Sequence, residues 1–462
     1  MRAIRAVVVL ALAAIAAFAA HRLGETEVAV TGGRQPMVAR EAFDPERLAE
    51  VVLERDGVTY RFVRRDGGWW QAAPIEHALD GWSVRQFAAR VMKAESVRSV
   101  DLAGDASAAL GAAGLAPPQG RIELVEESVG SGPPRRVVIE LGRRSLAGRA
   151  YARVLEPASL RPRYEVVDGT LHELALERDP RDFRRRDLFV DLGEIDRVEL
   201  SAGESTTAIA RAGRVYRIDG PIRTRADRQQ CEELFDAIRR ARSEGFIVDN
   251  PAELAVYGLE PPAAALSVRS GARELRLRVG DPVSIGAQDR FGLVEGTKSV
   301  VRIPAAVLAG IAPRADRLID TVATGVRSPD VGAIEVTQGD ARLVIRRETD
   351  RWTATVSEPG APESTGTADA AAVNRLLAAL TETRASSVRI APFPTDRSLA
   401  TVTLRGFAGE ALDTVRIAAG ATGGASVGYE FENGDGVLRT HGSIDLPLSP
   451  RDLGVIVVPA AR

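Results

Sequence analysis

The stretch Asp227-Arg228-Gln229-Gln230-Cys231-Glu232-Glu233-Leu234-Phe235-Asp236-Ala237-Ile238 decides how this chain is read. Cys231, Leu234, Phe235 and Ile238 fall at i, i+3, i+4 and i+7, which places them on one face of an amphipathic helix. Asp227 stands where an N-cap carboxylate accepts hydrogen bonds from the orphan N–H groups of the first turn. The pattern is written twice more, as Asp80 with Val84, Phe87, Ala88 and Val91, and as Asp369 with Val373, Leu376, Leu377 and Leu380. Three copies of one capped stripe predict a tandem array.

The flanks repeat as well. Before the first helix, Val51 and Leu53 alternate with polar residues, Asp56-Gly57 turns the chain, Val58, Tyr60 and Phe62 alternate again, and Asp66-Gly67-Gly68 leads to Trp69-Trp70. This spacing predicts a three-stranded meander. Equivalent meanders precede the other helices, with Trp70, Tyr216 and Trp352 expected as aromatic plugs between sheet and helix. Downstream, Gly114-Leu115-Ala116-Pro117-Pro118 returns as Gly258-Leu259-Glu260-Pro261-Pro262, and Ile139-Glu140-Leu141-Gly142 returns as Leu277-Arg278-Val279-Gly280. Paired prolines cannot donate to a ladder and so set off the strand that follows. The third copy keeps only Pro392 and Pro394 of this motif. The fold class expected is α+β, with three tandem related units. Each consists of an antiparallel meander, one amphipathic helix and further antiparallel strands.

With its Trp-bearing hairpin, its Asp-opened helix, Tyr257 to Pro262, the Leu277 to Gly280 strand and Arg314-Ala315-Asp316-Arg317-Leu318, the chain resembles the DUF4340 family of bacterial membrane-anchored proteins. The resemblance runs from about Phe43 onward and is strongest in the middle unit. It implies a protein encoded beside ABC-2-type transporter components, and it implies no enzymatic activity.

Composition suits a folded, exported chain. At 462 residues with 45% hydrophobic content it can bury sizeable cores, and 43 Gly with 25 Pro point to turn-rich units. The net charge of −2 gives no electrostatic case for nucleic acid. Arg2 and Arg5 precede an apolar run from Ala6 to Ala20. As a helix it would span ~22 Å at ~1.5 Å per residue, short of a ~30 Å hydrocarbon core. The segment therefore fits either a snorkelling transmembrane anchor or a signal peptide cleaved near Ala19, and retention is the reading favoured. Either way Arg2 and Arg5 place the N-terminus in the cytoplasm and the body outside, in the periplasm on the bacterial reading. The organisation expected is an anchor or signal segment at 1–22, a polar tether at 23–43, units at 44–190, 191–326 and 327–450, and a tail at 451–462.

No reaction is spelled out. Cys231 is the single cysteine and lies on an apolar stripe, where a core role is expected. His21, His77, His172 and His441 are scattered, with no metal-ligand spacing, and no cofactor is expected. The unusual charge is at the junctions. Arg181, Arg184, Arg185 and Arg186 stand at the junction between the first and second units, and Arg314 and Arg317 at the equivalent junction after the second. Arg forks bind carboxylate and phosphate bidentately, so these six are the candidate contacts to a partner or between units. The function expected is a non-catalytic, membrane-tethered periplasmic accessory of an ABC-type export or surface-assembly system, whose partners are an inner-membrane permease or related envelope proteins. The alternative is an envelope binding module that captures a glycan or peptide between units.

Overall fold

The structure, a computed structural model, describes residues 35–38, 43–100, 106–128, 133–145, 148–156, 161–213, 215–220, 222–349, 351–420, 428–442 and 444–458. The apolar run over 6–20, and with it the expected membrane helix, lies outside these residues. Among the described residues no helix is long and apolar enough to cross a membrane. The chain is α+β and divides into two compact bodies, one ending at Arg185 and the other beginning at Arg186.

The first body holds one sheet, of β1 (Gln35–Pro36), β2 (Leu48–Arg55), β3 (Val58–Arg65), β4 (Gly68–Ala73), β5 (His77–Leu79), β6 (Glu95–Ser99), β7 (Gly120–Glu126), β8 (Arg136–Arg144), β9 (Arg149–Leu155) and β10 (Arg163–Asp168). The second body holds two. One comprises β11 (Arg197–Ala202), β12 (Ser205–Ala212), β13 (Val215–Asp219), β14 (Arg223–Ala226), β15 (Gly245–Asp249), β16 (Ala264–Ser270), β17 (Arg273–Pro282), β18 (Arg290–Val294) and β19 (Ser299–Ile303). The other comprises β20 (Ala333–Gln338), β21 (Ala341–Glu348), β22 (Arg351–Ser357), β23 (Ser364–Ala368), β24 (Ser387–Ile390), β25 (Ser398–Arg405), β26 (Ala411–Ala419), β27 (Tyr429–Glu432), β28 (Val437–His441) and β29 (Ile456–Val458).

All three sheets are laid out alike. In the middle sheet the order is β14-β13-β12-β11-β16-β17-β18-β19-β15. Four strands run outward from β11 to β14, a helix follows, and β15 crosses to the far edge. Then β16 returns to pair with β11, and the ladder runs outward again to meet β15. The first sheet repeats this order as β5-β4-β3-β2-β7-β8-β9-β10-β6, with β1 added beyond β6. The third repeats it as β23-β22-β21-β20-β25-β26-β27-β28-β24, with β29 added beyond β23. The meander thus has four strands where three were expected. The fourth, β5, β14 or β23, is short and carries no apolar alternation, so its strand state comes from pairing with the third. The stretch expected as a tail at 451–462 carries β29 and widens the third sheet.

The three helices behave as their patterns require. They are α1 (Gly81–Met92), α2 (Arg228–Arg240) and α3 (Ala370–Thr381). Asp80 accepts from the N–H groups of Trp82 and Ser83, Asp227 from that of Gln230, and Asp369 from that of Ala371. Such caps are worth roughly 1 kcal/mol each. Every residue of the three stripes is buried, while Arg85, Arg239 and Arg375 on the opposite faces are exposed. Each stripe packs into its own core, beneath Trp69 in the first unit, Tyr216 in the second and Trp352 in the third. The plug of the first unit is Trp69 and not Trp70. The pleat of β4 turns Trp69 and Gln71 inward, and the Trp70 ring faces out under Arg65, whose guanidinium carbon lies 4.7 Å from its centroid.

The repeated Gly-Leu-x-Pro-Pro stretch is a tight turn that the following ladder encloses. Gly114 and Gly258 have φ of +68° and +64°, the left-handed region open to glycine. Leu115 and Leu259 are buried, and Leu115 bridges to Pro118 as Leu259 does to Pro262. Gly142 of β8 and Gly280 of β17 lie against this turn, where a Cβ would collide with the carbonyls of Ala113 and Tyr257.

Candidate binding cleft between the second and third sheets

Each helix cap also closes its own unit. The backbone N–H of Asp80 donates to Phe183 O at 2.8 Å, that of Asp227 to Leu318 O at 2.8 Å, and that of Asp369 to Leu453 O at 2.9 Å. In the first unit the closing segment then returns a bond from Arg185 N–H to Ala78 O at 3.0 Å, and in the second from Asp320 N–H to Arg225 O at 3.0 Å. In the third unit the closing segment runs on as β29, pairing Ile456 with Thr367, Val457 with Gly366 and Val458 with Thr365. In the second unit it leaves the edge after Asp320, and the Val322 N–H folds back onto the Asp320 carboxylate at 3.0 Å. Only the Ala226 end of β14 is therefore bridged, to Ile319.

Around that edge lies a cleft of about 1070 Å³. All four residues of β14 line it, together with β13, the first turn of α2, Gly325 and Val326 beyond the closing segment, and Leu412, Asp413 and the Asn433 to Asp435 turn of the third sheet. Its two walls are pinned together by Arg439 of β28, which is wholly buried. Arg439 Nε donates to Asp320 O at 2.9 Å, and Nη2 donates to Thr224 Oγ1 at 3.1 Å and to Asp435 Oδ2 at 2.8 Å. Thr224 Oγ1 donates in turn to Asp435 Oδ2 at 2.5 Å. Arg384 Nη1 adds a pair with Asp227 Oδ2 at 2.9 Å, so one carboxylate both caps α2 and receives a cation from the third unit.

Most of the lining charge is already spoken for. Burial raises the Asp435 pKa, but the Arg439 hydrogen bond and charge and the Thr224 hydroxyl outweigh it and hold this carboxyl below its usual range. Arg225 is depressed chiefly by burial, against the attraction of Asp320. Its Nη2 donates to Val322 O at 2.7 Å, while Nε and Nη1 are buried without a hydrogen-bond partner among the described residues. Asp413 Oδ2 accepts from Thr324 Oγ1 at 2.5 Å. Arg217 and Arg223, both exposed, have no ion pair among the described residues. Among the described lining groups without an ion pair, Arg217 and Arg223 stand against Asp413 alone, so the balance of unpaired charge is positive.

The six junction arginines do not meet here; none lines the cleft. In the first body Arg181 pairs with Asp179 at 2.7 Å, Arg184 is buried with Nε donating to Gln71 Oε1 at 3.0 Å, and Arg185 supplies the closing N–H. In the second body Arg186 Nη1 donates to Glu244 O at 2.7 Å, Arg314 pairs with Asp316 at 2.9 Å, and Arg317 is exposed. The arginines that join the second and third sheets are Arg439 and Arg384. Sequence reasoning missed both, because their partners lie far away along the chain. The signal that was present is Arg439 itself, an ion directly after the apolar pair Val437-Leu438 of β28.

The family profile described as "Domain of unknown function (DUF4340)" matches residues 216–405. The matched stretch takes in most of β13, all of β14, α2, the closing segment and Arg384, and so spans much of the cleft. Comparison with the curated proteins gave no match.

Proposed function

We propose that this chain, a DUF4340 domain-containing protein, is a non-catalytic binding component that recognises a protein partner through the cleft between its second and third sheets. The observation that carries this reading is the cleft itself, about 1070 Å³ with walls fastened by buried Arg439. A volume of this order accommodates several residues of another chain. Its ionisable groups are mostly held in ion pairs, which suits fixed charge recognition rather than proton transfer. Tyr216 is the one aromatic among the lining residues and is only 8% exposed, so the cleft presents no stacking platform for a sugar ring. A polypeptide is the better occupant than a glycan.

The proposal places this component outside the cytoplasm, tethered by the apolar run over 6–20, as an accessory of an ABC-type export or surface-assembly system. Support comes from the flanking charges Arg2 and Arg5 and from the family resemblance. Recovery of the full chain from membranes, with mass-spectrometric identification of what accompanies it, tests the reading. A protein retained by the parent and lost from the Arg217→Glu, Arg223→Glu double variant supports it. Equal recovery with both overturns the assignment of the cleft. An alkaline phosphatase fusion after Arg462 that is inactive overturns the placement outside the cytoplasm.

A further inference from the structure

We propose that the cleft takes its partner as an extended, acidic peptide segment added as a strand to the edge of β14. This rests on the reading of the cleft as a protein-binding site and names what enters it. The third sheet shows the same edge filled. Asp369, Ala368 and Trp352 correspond to Asp227, Ala226 and Tyr216, since β22 pairs Trp352 with Ala368 as β13 pairs Tyr216 with Ala226. Thr365, Gly366 and Thr367, which β29 covers, thus correspond to Arg223, Thr224 and Arg225. In the second unit Arg225 keeps one bond from the closing segment, from Asp320 N–H, and at Arg223 and Thr224 that segment has left and the cleft begins.

The backbone there is oriented to accept a strand. Arg225 O accepts from Asp320 N–H on the side away from β13. The alternation of an antiparallel pair therefore turns the N–H and C=O of Arg223, and the N–H of Arg225, toward the cleft as well. A sheet edge of this kind is a template for an added strand, and main-chain bonds supply the affinity in such complexes. Side-chain selection follows from the pleat. Arg217 lies opposite Arg225 and Asp219 opposite Arg223, so Arg217, Arg223 and Arg225 share one face of β13 and β14. Asp219 on that face is 3.7 Å from Arg197. A strand laid on β14 would direct every second side chain to this arginine-rich face, where carboxylates are favoured. A second copy of this edge would bring arginines against arginines, which argues against self-pairing.

Titration calorimetry on the full chain tests this with capped Val-Glu-Val-Glu-Val-Glu-Val. Its lysine counterpart and a version of the glutamate peptide N-methylated on alternate amides serve as comparisons. The glutamate peptide is expected to bind, N-methylation on the bonding edge to weaken it about tenfold through lost main-chain bonds, and the lysine peptide to bind about tenfold more weakly still. Arg223→Pro removes an outward N–H without breaking a rung to β13, so it should weaken the glutamate peptide with little change in Tm. Should that variant misfold, hydrogen exchange of the parent decides, because bound peptide must slow the amides of segments containing Arg223 to Ala226. Equal binding of methylated and unmethylated peptides, or unchanged exchange, overturns strand addition. Tighter binding of the lysine peptide overturns the acidic selection. If no peptide binds while partner recovery still depends on Arg217 and Arg223, this inference fails and the binding-cleft reading stands.

Discussion

Arg439 Nη2 reaches Thr224 Oγ1 at 3.1 Å across 215 positions of the chain, fastening β28 of the third sheet to β14 of the second. The same nitrogen holds Asp435, so a single guanidinium neutralises a buried carboxylate and fixes the wall of the cleft. Truncating one member of a buried pair leaves the other charge unpaired, a loss of about 3–5 kcal/mol. Arg439→Leu is therefore expected to lower stability by that amount in urea unfolding. Thr224→Val should cost about 1 kcal/mol, and the double variant less than the sum, because the two share Asp435.

The helix stripes give a graded test of packing. Phe87→Ala, Phe235→Ala and Leu377→Ala each empty a site no more than 3% exposed and should each cost roughly 2–5 kcal/mol. Arg85→Ala, Arg239→Ala and Arg375→Ala should stay within about 0.5 kcal/mol. Comparable losses in the two sets would mean that the buried faces are wrongly assigned.

His441 gives the second body a pH dependence. Burial, followed by the charge of Arg439, pushes its pKa down to about 4, against roughly 6.5 for an unperturbed imidazole. The unfolded chain then binds the proton more readily than the folded one. The contribution is complete above about pH 6.5 and is lost as pH falls toward 4, by about 3 kcal/mol in all. The difference between the stability curves of the parent and His441→Leu should show this slope. A difference that stays flat between pH 7 and 4 would refute it.

Cys231 is expected to be inert while the protein is folded. It is fully buried, and burial, then Asp227 and Glu232, push its thiol up to about 12. At pH 8 its reaction with a disulfide reagent should be roughly a thousandfold slower than in denaturant, as the thiolate fraction falls. Rapid labelling of the native chain would contradict the packing of α2.

How much of this was legible in the sequence follows from the range of each interaction. The capped stripes of α1, α2 and α3, the turns, and the strand-setting prolines are local, and residues within a few positions of one another specify them. Trp69 was missed in favour of Trp70 because adjacent aromatics leave the phase of a short strand open until its partner sets it. Arg223-Thr224-Arg225-Ala226 has no apolar rhythm and becomes a strand only through β13. The cleft was illegible for the same reason, since Arg439 meets Asp320 and Thr224, and Arg384 meets Asp227, only once two sheets have formed. The junction arginines drew notice by their charge, whereas the working parts of the junctions are Phe183, Leu318 and Leu453, whose main-chain carbonyls carry no label in the sequence.

The closure of each unit on its own helix cap also bears on how such a chain can change length. Every pair of named strands lies within one sheet, and Phe183, Leu318 and Leu453 each return to the cap of the unit that they end. A genetic crossover joining the codons after Asp187 to those after Asp320 would excise the whole middle sheet and break no ladder of either remaining sheet, leaving only Arg439 and Arg384 to find replacements for Thr224, Asp320 and Asp227. The gene can therefore gain or shed copies by unequal recombination in whole steps, with the hydrogen-bonded seam between cap and closing carbonyl serving as the cutting line.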